Sequence, residues 1–449
     1  MARMRLFTFL ALATLSLPAW GYPPSVALPP RAPAKDAKHT KPAPKATLSP
    51  SLTPQATLPA PSAVTLPFQL GITQLKAQGF APLVGRRVGL LTHTAAVDEN
   101  GTLTVDILRA APGVQLVALF GPEHGLSGLS KADEKVDDST YQGIPVYSLY
   151  GPTRQPTPQM LKGLDVMLVD LQDIGVRSYT YISALKLTLQ ACFQAGIPVM
   201  VLDRPNPLGG QKVDGPLLDP RFKSYVGSYR MPYIHGLTIG EVALLAQDEI
   251  KPLKGSLSIV KMQGWHRRML WSDTGLKWRA TSPSVPTLAA AFGYACTGLG
   301  AQLGGFRHGY GTEYPFRFLS HPRLSPPQLR ARLSEAHIPG VSFDVLTIPQ
   351  GLRGAGQQGV YVRIQNWHNA GAIQLSLTML QICQELGGNK SFAAASSNDE
   401  DLFNKHWGRA EPLRTLQGRQ RLNAWKLSRH WQAEATRWQQ WARQFWLYT

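Results

Sequence analysis

Five short, uninterrupted apolar runs recur between residues 87 and 203, each bounded by glycine, proline or polar residues, with segments of helical period between them. They are Arg87–Thr92 (RVGLLT), Gln115–Phe120 (QLVALF), Pro145–Leu149, Asp165–Leu171 (DVMLVDL) and Pro198–Asp203 (PVMVLD). A strand that faces water on one side alternates apolar and polar residues, whereas a run without alternation has to be covered on both faces. Helical spacing over Val105–Ala111, Tyr181–Ala195 and Ile239–Ile250 provides the cover. The pattern predicts an α/β fold: a Rossmann-like, doubly wound, mostly parallel sheet over residues 67–290. Past about residue 290 the rhythm changes. Ser325-Pro326 reads as a helix N-cap with proline in the first turn, leading into Gln328–Ala336. Val360–Gln365 alternates as a strand, and Ile373–Leu386 and Trp425–Trp446 have helical spacing. Residues 291–449 are expected to form a second, smaller α+β ancillary domain.

Ahead of the folded part stand two segments of different character. Arg3 and Arg5, an apolar run from Leu6 to about Leu17, and Pro18-Ala19-Trp20-Gly21 have the layout of a cleavable secretory signal over residues 1–21. The run is too short to span a bilayer, and no other stretch is long enough, so the mature chain is expected to hold no integral membrane segment. No cysteine follows the cleavage point to carry a lipid anchor. Residues 22–66 hold eleven prolines among Ala, Ser, Thr and Lys, a composition that builds no core and reads as a disordered linker. The expected location is outside the cytoplasm, periplasmic or secreted. Cys192, Cys296 and Cys383 are too few and too widely spaced for a disulfide framework, and their apolar contexts read as buried thiols.

The formal charge is +18; without the two arginines of the leader and the net +4 of residues 22–66, the body keeps +12. Such a surface favours anionic partners, which outside the cytoplasm are wall polymers and acidic sugars. No nucleic-acid-binding signature is found, and no nucleic acid is expected as partner.

In an open parallel sheet, ligands bind beyond the carboxyl ends of the strands, and polar residues crowd those ends here. The second run leads into Gly121-Pro122-Glu123-His124-Gly125, a carboxylate and an imidazole on a glycine-flanked turn. A half-buried carboxyl group at a cleft mouth can serve as a general acid, or the glutamate can simply cap the next segment. The fourth run leads into Asp170, Gln172, Asp173, Arg177, Tyr179 and Tyr181. Arg177 suits a carboxylate ligand or a structural ion pair, and the tyrosines suit stacking on sugar rings. The fifth leads into Asp203, Arg204 and Asn206 on a loop stiffened by Pro205 and Pro207. Thr238 and Glu241 have the spacing of a capping box, which leaves His235 freer to face a cleft. There is no P-loop, nucleophile elbow, Ser-x-x-Lys, zinc-ligand spacing or dinucleotide fingerprint, so neither metal nor cofactor is expected.

These motifs together (LFGPEHG, GIPVYSLYG, DLQDIGVRSYTYISA, VLDRPNPLGG, HGLTIGE and the late FNKHWG) resemble the exo-β-N-acetylmuramidases of the NamZ (YbbC-like) type, glycoside hydrolase family 171, across residues 67–449. The resemblance implies a site in the cleft between a Rossmann-like domain and an ancillary domain. It implies release of terminal N-acetylmuramic acid, or a related amino sugar, from the non-reducing end of peptidoglycan fragments or muropeptides. By motif, Glu123 is similar to the proposed catalytic carboxylate, and Asp173, Arg177, Asp203, Arg204, Asn206 and His235 fall in the other cleft motifs. The chain departs from the pattern at Gln302-Leu303-Gly304-Gly305 (for E-G-T-N), Gly309-Tyr310-Gly311-Thr312 (for G-R-G-T), Thr281-Ser282-Pro283-Ser284 (for P-S-P-N), Ser127 and His93. The missing arginine and glutamate bear on how a lactyl carboxylate is recognised.

The expected chemistry is therefore Glu123 as acid with His124 beside it, and a second carboxylate, Asp173 or Asp203, assisting water or the transition state. Carboxyl separations of about 5–5.5 Å give retention and about 6.5–9.5 Å inversion, and participation of the substrate's acetamido group is a further route. The alternative of another class is a wall-glycan-binding protein of the same fold with weakened catalysis. A wall amidase or esterase lacks its nucleophile motif.

Overall fold

The computed structural model describes residues 67–126, 137–387 and 390–449. The leader, the proline-rich segment and Ser127 lie outside the described residues.

Strands β1 (Arg87–Thr92), β2 (Gln115–Gly121), β3 (Ser139–Tyr141), β4 (Ile144–Ser148), β5 (Val166–Asp170), β6 (Val199–Leu202) and β7 (Leu257–Val260) form one sheet in the order β3-β4-β2-β1-β5-β6-β7. All neighbours run parallel except the β3–β4 hairpin at the edge. Each of the five apolar runs is a strand, and β1 and β5 are buried along nearly their whole length. The sheet grows outward from β1 in both directions, which makes the carboxyl ends of β1 and its neighbours the topological switch point. Register fixes what meets there: Thr92 lies beside Asp170, and Gly121 beside Ser148. Helices Tyr181–Gln194 and Ile239–Glu249 cover the sheet; the second opens with the expected capping box, Thr238 accepting from the Glu241 N–H and Glu241 from the Thr238 N–H.

A smaller antiparallel sheet, β8 (Phe318–Leu319), β9 (Val341–Thr347) and β10 (Gln358–Ile364), has the order β8-β10-β9. It belongs with helices Pro326–Glu335, Ala372–Gly387 and Ala424–Ala442. From residue 67 on, the described residues form one compact unit. A single apolar core runs from Leu91 and Val169 of the large sheet through Phe343 of the small one to Leu375 and Trp431. Within it Trp407 and Trp431, both fully buried, pack at 5.6 Å between ring centroids. The three cysteines are buried free thiols, each pushed up to about 12 by desolvation.

Candidate active site

Glu123 sits two residues past the end of β2, where Gly121 can have no Cβ: such an atom would stand 2.8 Å from the Leu126 nitrogen of the returning turn. His124 takes a left-handed backbone (φ 72°) to close that turn. Glu123 is nearly buried, 6 % exposed, and its Oε2 accepts a hydrogen bond of 2.5 Å from the Thr180 hydroxyl. Burial raises the pKa values of the phenols Tyr181, Tyr225 and Tyr294, and the charge of Glu123 adds to each shift.

Asp173, on the loop after β5, holds a second acidic position. Its Oδ2 accepts from the Gly175 N–H at 2.7 Å and faces His235 Nε2 at 3.3 Å. His235 Nδ1 accepts from the Leu237 N–H, which leaves the ring proton on Nε2, towards Asp173. Asp173 Oδ1, by contrast, is buried without a partner. The Tyr294 hydroxyl is 3.2 Å from Ser178 Oγ, and burial pushes it up to about 12, with the charges of Glu123 and Asp173 adding to it. Tyr179 packs at 4.7 Å on Tyr181 and 6.4 Å from Tyr294; burial raises its phenol pKa, opposed by hydrogen bonding with Thr281, Ser282 and Tyr181. Gln172 donates to the Asp173 and Pro205 carbonyls, and its Oε1 is left over.

The remaining residues expected to bind substrate have other duties. Asp170 is fully buried, paired bidentately with Arg204 and bonded to Thr104, and Arg204 also donates to the Val97 carbonyl. Asp203 accepts from the Arg204 and Gly240 amides, the Thr238 hydroxyl and the Tyr448 hydroxyl; burial nevertheless pushes its carboxyl up to about 7. It ties the helix at 239 to the end of the chain and offers no free oxygen to a ligand or water. Asn206 bridges the Leu208 amide and the Leu237 carbonyl, packed against Gly175.

Arg177 was expected to take a carboxylate or form an ion pair, and among the described residues it pairs with no carboxylate. Its terminal nitrogens donate to four backbone carbonyls, of Pro216, Met231, His406 and Trp407. Burial without a counter-charge lowers its pKa to about 9. The FNKHWG motif thereby gets a structural reason, since Gly408 ends a helix with φ 69° and a Cβ there would stand 2.7 Å from Arg177 Nη2. Tyr181 is fully buried with its hydroxyl on the Thr281 carbonyl, and so cannot stack on a sugar.

Sequence reasoning passed over Thr180, Ser178, Tyr225, Tyr294 and Arg154. Only Thr180 and Ser178 lie inside a motif that was singled out, and nothing in their spacing marks them. His93, noted only as a departure, is a working part: its Nε2 accepts from the Gln172 N–H at 3.0 Å. Desolvation, with the charges of Arg204 and His124 adding to it, holds its pKa down at about 3, so it stays neutral. Among the described residues no group of His, Cys, Asp and Glu is arranged to hold a metal ion, and no helix is long and apolar enough to cross a membrane.

Residues 88–289 match the family profile described as exo-beta-N-acetylmuramidase NamZ, N-terminal, and residues 292–448 match its C-terminal counterpart. The peptidoglycan beta-N-acetylmuramidase NamZ of Bacillus subtilis (strain 168) is 43 % identical over 279 residues, which is 61 % of this chain and 66 % of that protein, just under two thirds of its length. A crystal structure of a DUF1343 family protein from Bacteroides fragilis superposes with a TM-score of 0.77 at 35 % identity, covering 85 % of this chain and 99 % of the other. A second DUF1343 structure from the same organism, at 23 % identity and a TM-score of 0.64, shares the fold over the same proportions.

Proposed function

The chain belongs to the exo-beta-N-acetylmuramidase NamZ family, and from that premise we propose that it is a glycosidase that removes N-acetylmuramic acid from the non-reducing end of peptidoglycan-derived glycans. One observation carries the reading. On the loop after β5 and beside Arg154 stand buried polar atoms without protein partners: Asp173 Oδ1, Gln172 Oε1 and the hydroxyl of Tyr225. A buried polar atom left unpaired costs on the order of 1–3 kcal/mol, so a site that gathers several is built for a ligand rich in hydroxyl and amide groups. A sugar is such a ligand.

In this reading the Glu123 carboxyl, oriented by Thr180, gives its proton to the glycosidic oxygen. Asp173 holds His235 with one oxygen and turns the other towards the anomeric centre, where positive charge develops in the transition state. Tyr179, its ring packed on Tyr181, serves as a wall of the sugar pocket. The secretory leader and the basic body fit an exported protein that works on wall fragments outside the cytoplasm.

The test is to incubate the purified protein with peptide-free glycan strands and assay released monosaccharide. Free N-acetylmuramic acid, one residue at a time from the non-reducing end, is the expected product. Strands that bind but come back intact would make the protein a glycan-binding relative without catalysis.

A further inference from the structure

The residue motifs leave open how a carboxylate on the sugar is recognised, because the cleft arginines are already engaged: Arg177 with four carbonyls, Arg204 with Asp170. We propose that Arg154 binds a free carboxylate on the terminal sugar, such as the lactyl group that distinguishes muramic acid from glucosamine. This rests on the reading of Glu123 as the acid of a sugar site.

Sheet register brings Arg154 there. β2 and β4 run side by side with Gly121 opposite Ser148, and the Leu149 amide donates to the Gly121 carbonyl. The chain beyond β4 therefore leaves the sheet next to the turn that carries Glu123. Tyr150 follows directly, and the loop after it is pinned where Thr153 Oγ1 donates to the Gln155 carbonyl and accepts from the Gln155 amide. The guanidinium carbon of Arg154 lies 3.4 Å from the Tyr150 ring centroid and 5.1 Å from that of Tyr225. The two rings are themselves 5.8 Å apart. Burial raises the pKa of the Tyr225 phenol, the charge of Glu123 adding to the shift and that of Arg154 opposing it.

What singles Arg154 out is what it lacks. Its Nη1 is buried without a hydrogen-bond acceptor, and among the described residues no carboxylate lies within ion-pair distance of it. Stacking fixes the plane of a guanidinium and leaves its edge donors to a planar carboxylate, which they meet in bidentate fashion. An arginine parked for structure would have been given carbonyls, as Arg177 was. The Tyr225 hydroxyl, also unpartnered, stands ready as a further donor to the same anion.

Two measurements test this together. Calorimetry compares binding of N-acetylmuramic acid with that of its methyl ester, which keeps the sugar and loses the charge. A rate assay compares the nitrophenyl glycosides of the same two sugars. The wild-type protein should favour the acid by about 10- to 100-fold in affinity, the range set by charge-assisted hydrogen bonds. Arg154→Gln should erase the preference while leaving the ester's affinity within about threefold, and Arg154→Lys should restore part of it. A wild-type protein that binds acid and ester alike, or binds neither, overturns the proposal, and that comparison needs no variant to fold. A variant that keeps the preference overturns it as well. The two readings can fail separately. Hydrolysis of acid and ester at equal rates sinks the arginine's role and leaves the glycosidase standing. Arg154-dependent binding of the acid with no hydrolysis does the reverse.

Discussion

Two clusters at the carboxyl ends of the same sheet look alike in the sequence and differ in one respect in space. In the cluster of Asp170, Arg204, Asp203 and Asn206 the charged groups find partners inside the protein, in one another and in Thr104, Val97, Gly240, Thr238 and Tyr448, and the neighbouring Arg177 gives its terminal nitrogens to carbonyls, with its Nε left over. Asp173, Gln172, Tyr225 and Arg154 keep unmatched atoms instead: Asp173 Oδ1, Gln172 Oε1, the Tyr225 hydroxyl and Arg154 Nη1. Polar residues at a strand end thus serve either to bolt the loops together or to bind, and partner satisfaction separates the two uses. Side-chain type alone does not.

Substitutions can break the comparison or sharpen it. The largest effect is expected from Glu123→Gln, which keeps the shape and the Thr180 contact but has no proton to give. Turnover on a chromogenic muramide should fall by about 10³-fold or more while the melting temperature holds, since general acid catalysis contributes about 10²–10⁴. Near-normal turnover would move Glu123 into the structural cluster. Asp170→Ala should do the opposite. It strands the buried Arg204 charge, and removing one partner of a buried pair costs about 3–5 kcal/mol. Denaturant titration should show that loss, with residual folded protein still active. Asp173→Asn should cut turnover by about 10²-fold and leave stability within about 1 kcal/mol, because the Gly175 bond can be kept. A melting point lowered in step with activity would erase the contrast.

A pH-dependent effect belongs to His93, held neutral by burial, with the charges of Arg204 and His124 adding to it. Its folded pKa of about 3 lies below the ordinary 6.5, so between these values the unfolded chain binds a proton that the folded protein refuses. The stability it contributes is fully present above about pH 6.5 and is lost as pH falls towards 3, at about 1.4 kcal/mol per pH unit. His93→Asn, whose side-chain oxygen can accept from Gln172, should flatten that slope in denaturation measured across the same range.

The difference between the clusters also marks how far the sequence could be read. Strands covered on both faces announce themselves as unbroken apolar runs, which is why β1, β2, β4, β5 and β6 were all legible. β7 is only four residues long (LSIV) and half exposed, and β9 (VSFDVLT) breaks its alternation with a charge, so neither stood out. The capping box at Thr238 was readable because both partners are local. The Asp170–Arg204 pair was not, since its members are 34 residues apart, and the four carbonyls that hold Arg177 carry no side-chain signature at all. Arg154 sits alone among Pro, Thr and Gly in a loop, and only the β2–β4 register shows that it stands near Glu123.

A crystal structure of Glu123→Gln with a bound muramic-acid glycan tests the central claim most directly. The glycosidic oxygen is expected within about 2.6–3.2 Å of residue 123, with Asp173 Oδ1 turned towards the sugar ring. A sugar seated elsewhere, with the unmatched atoms of that cluster still unmatched, would contradict it.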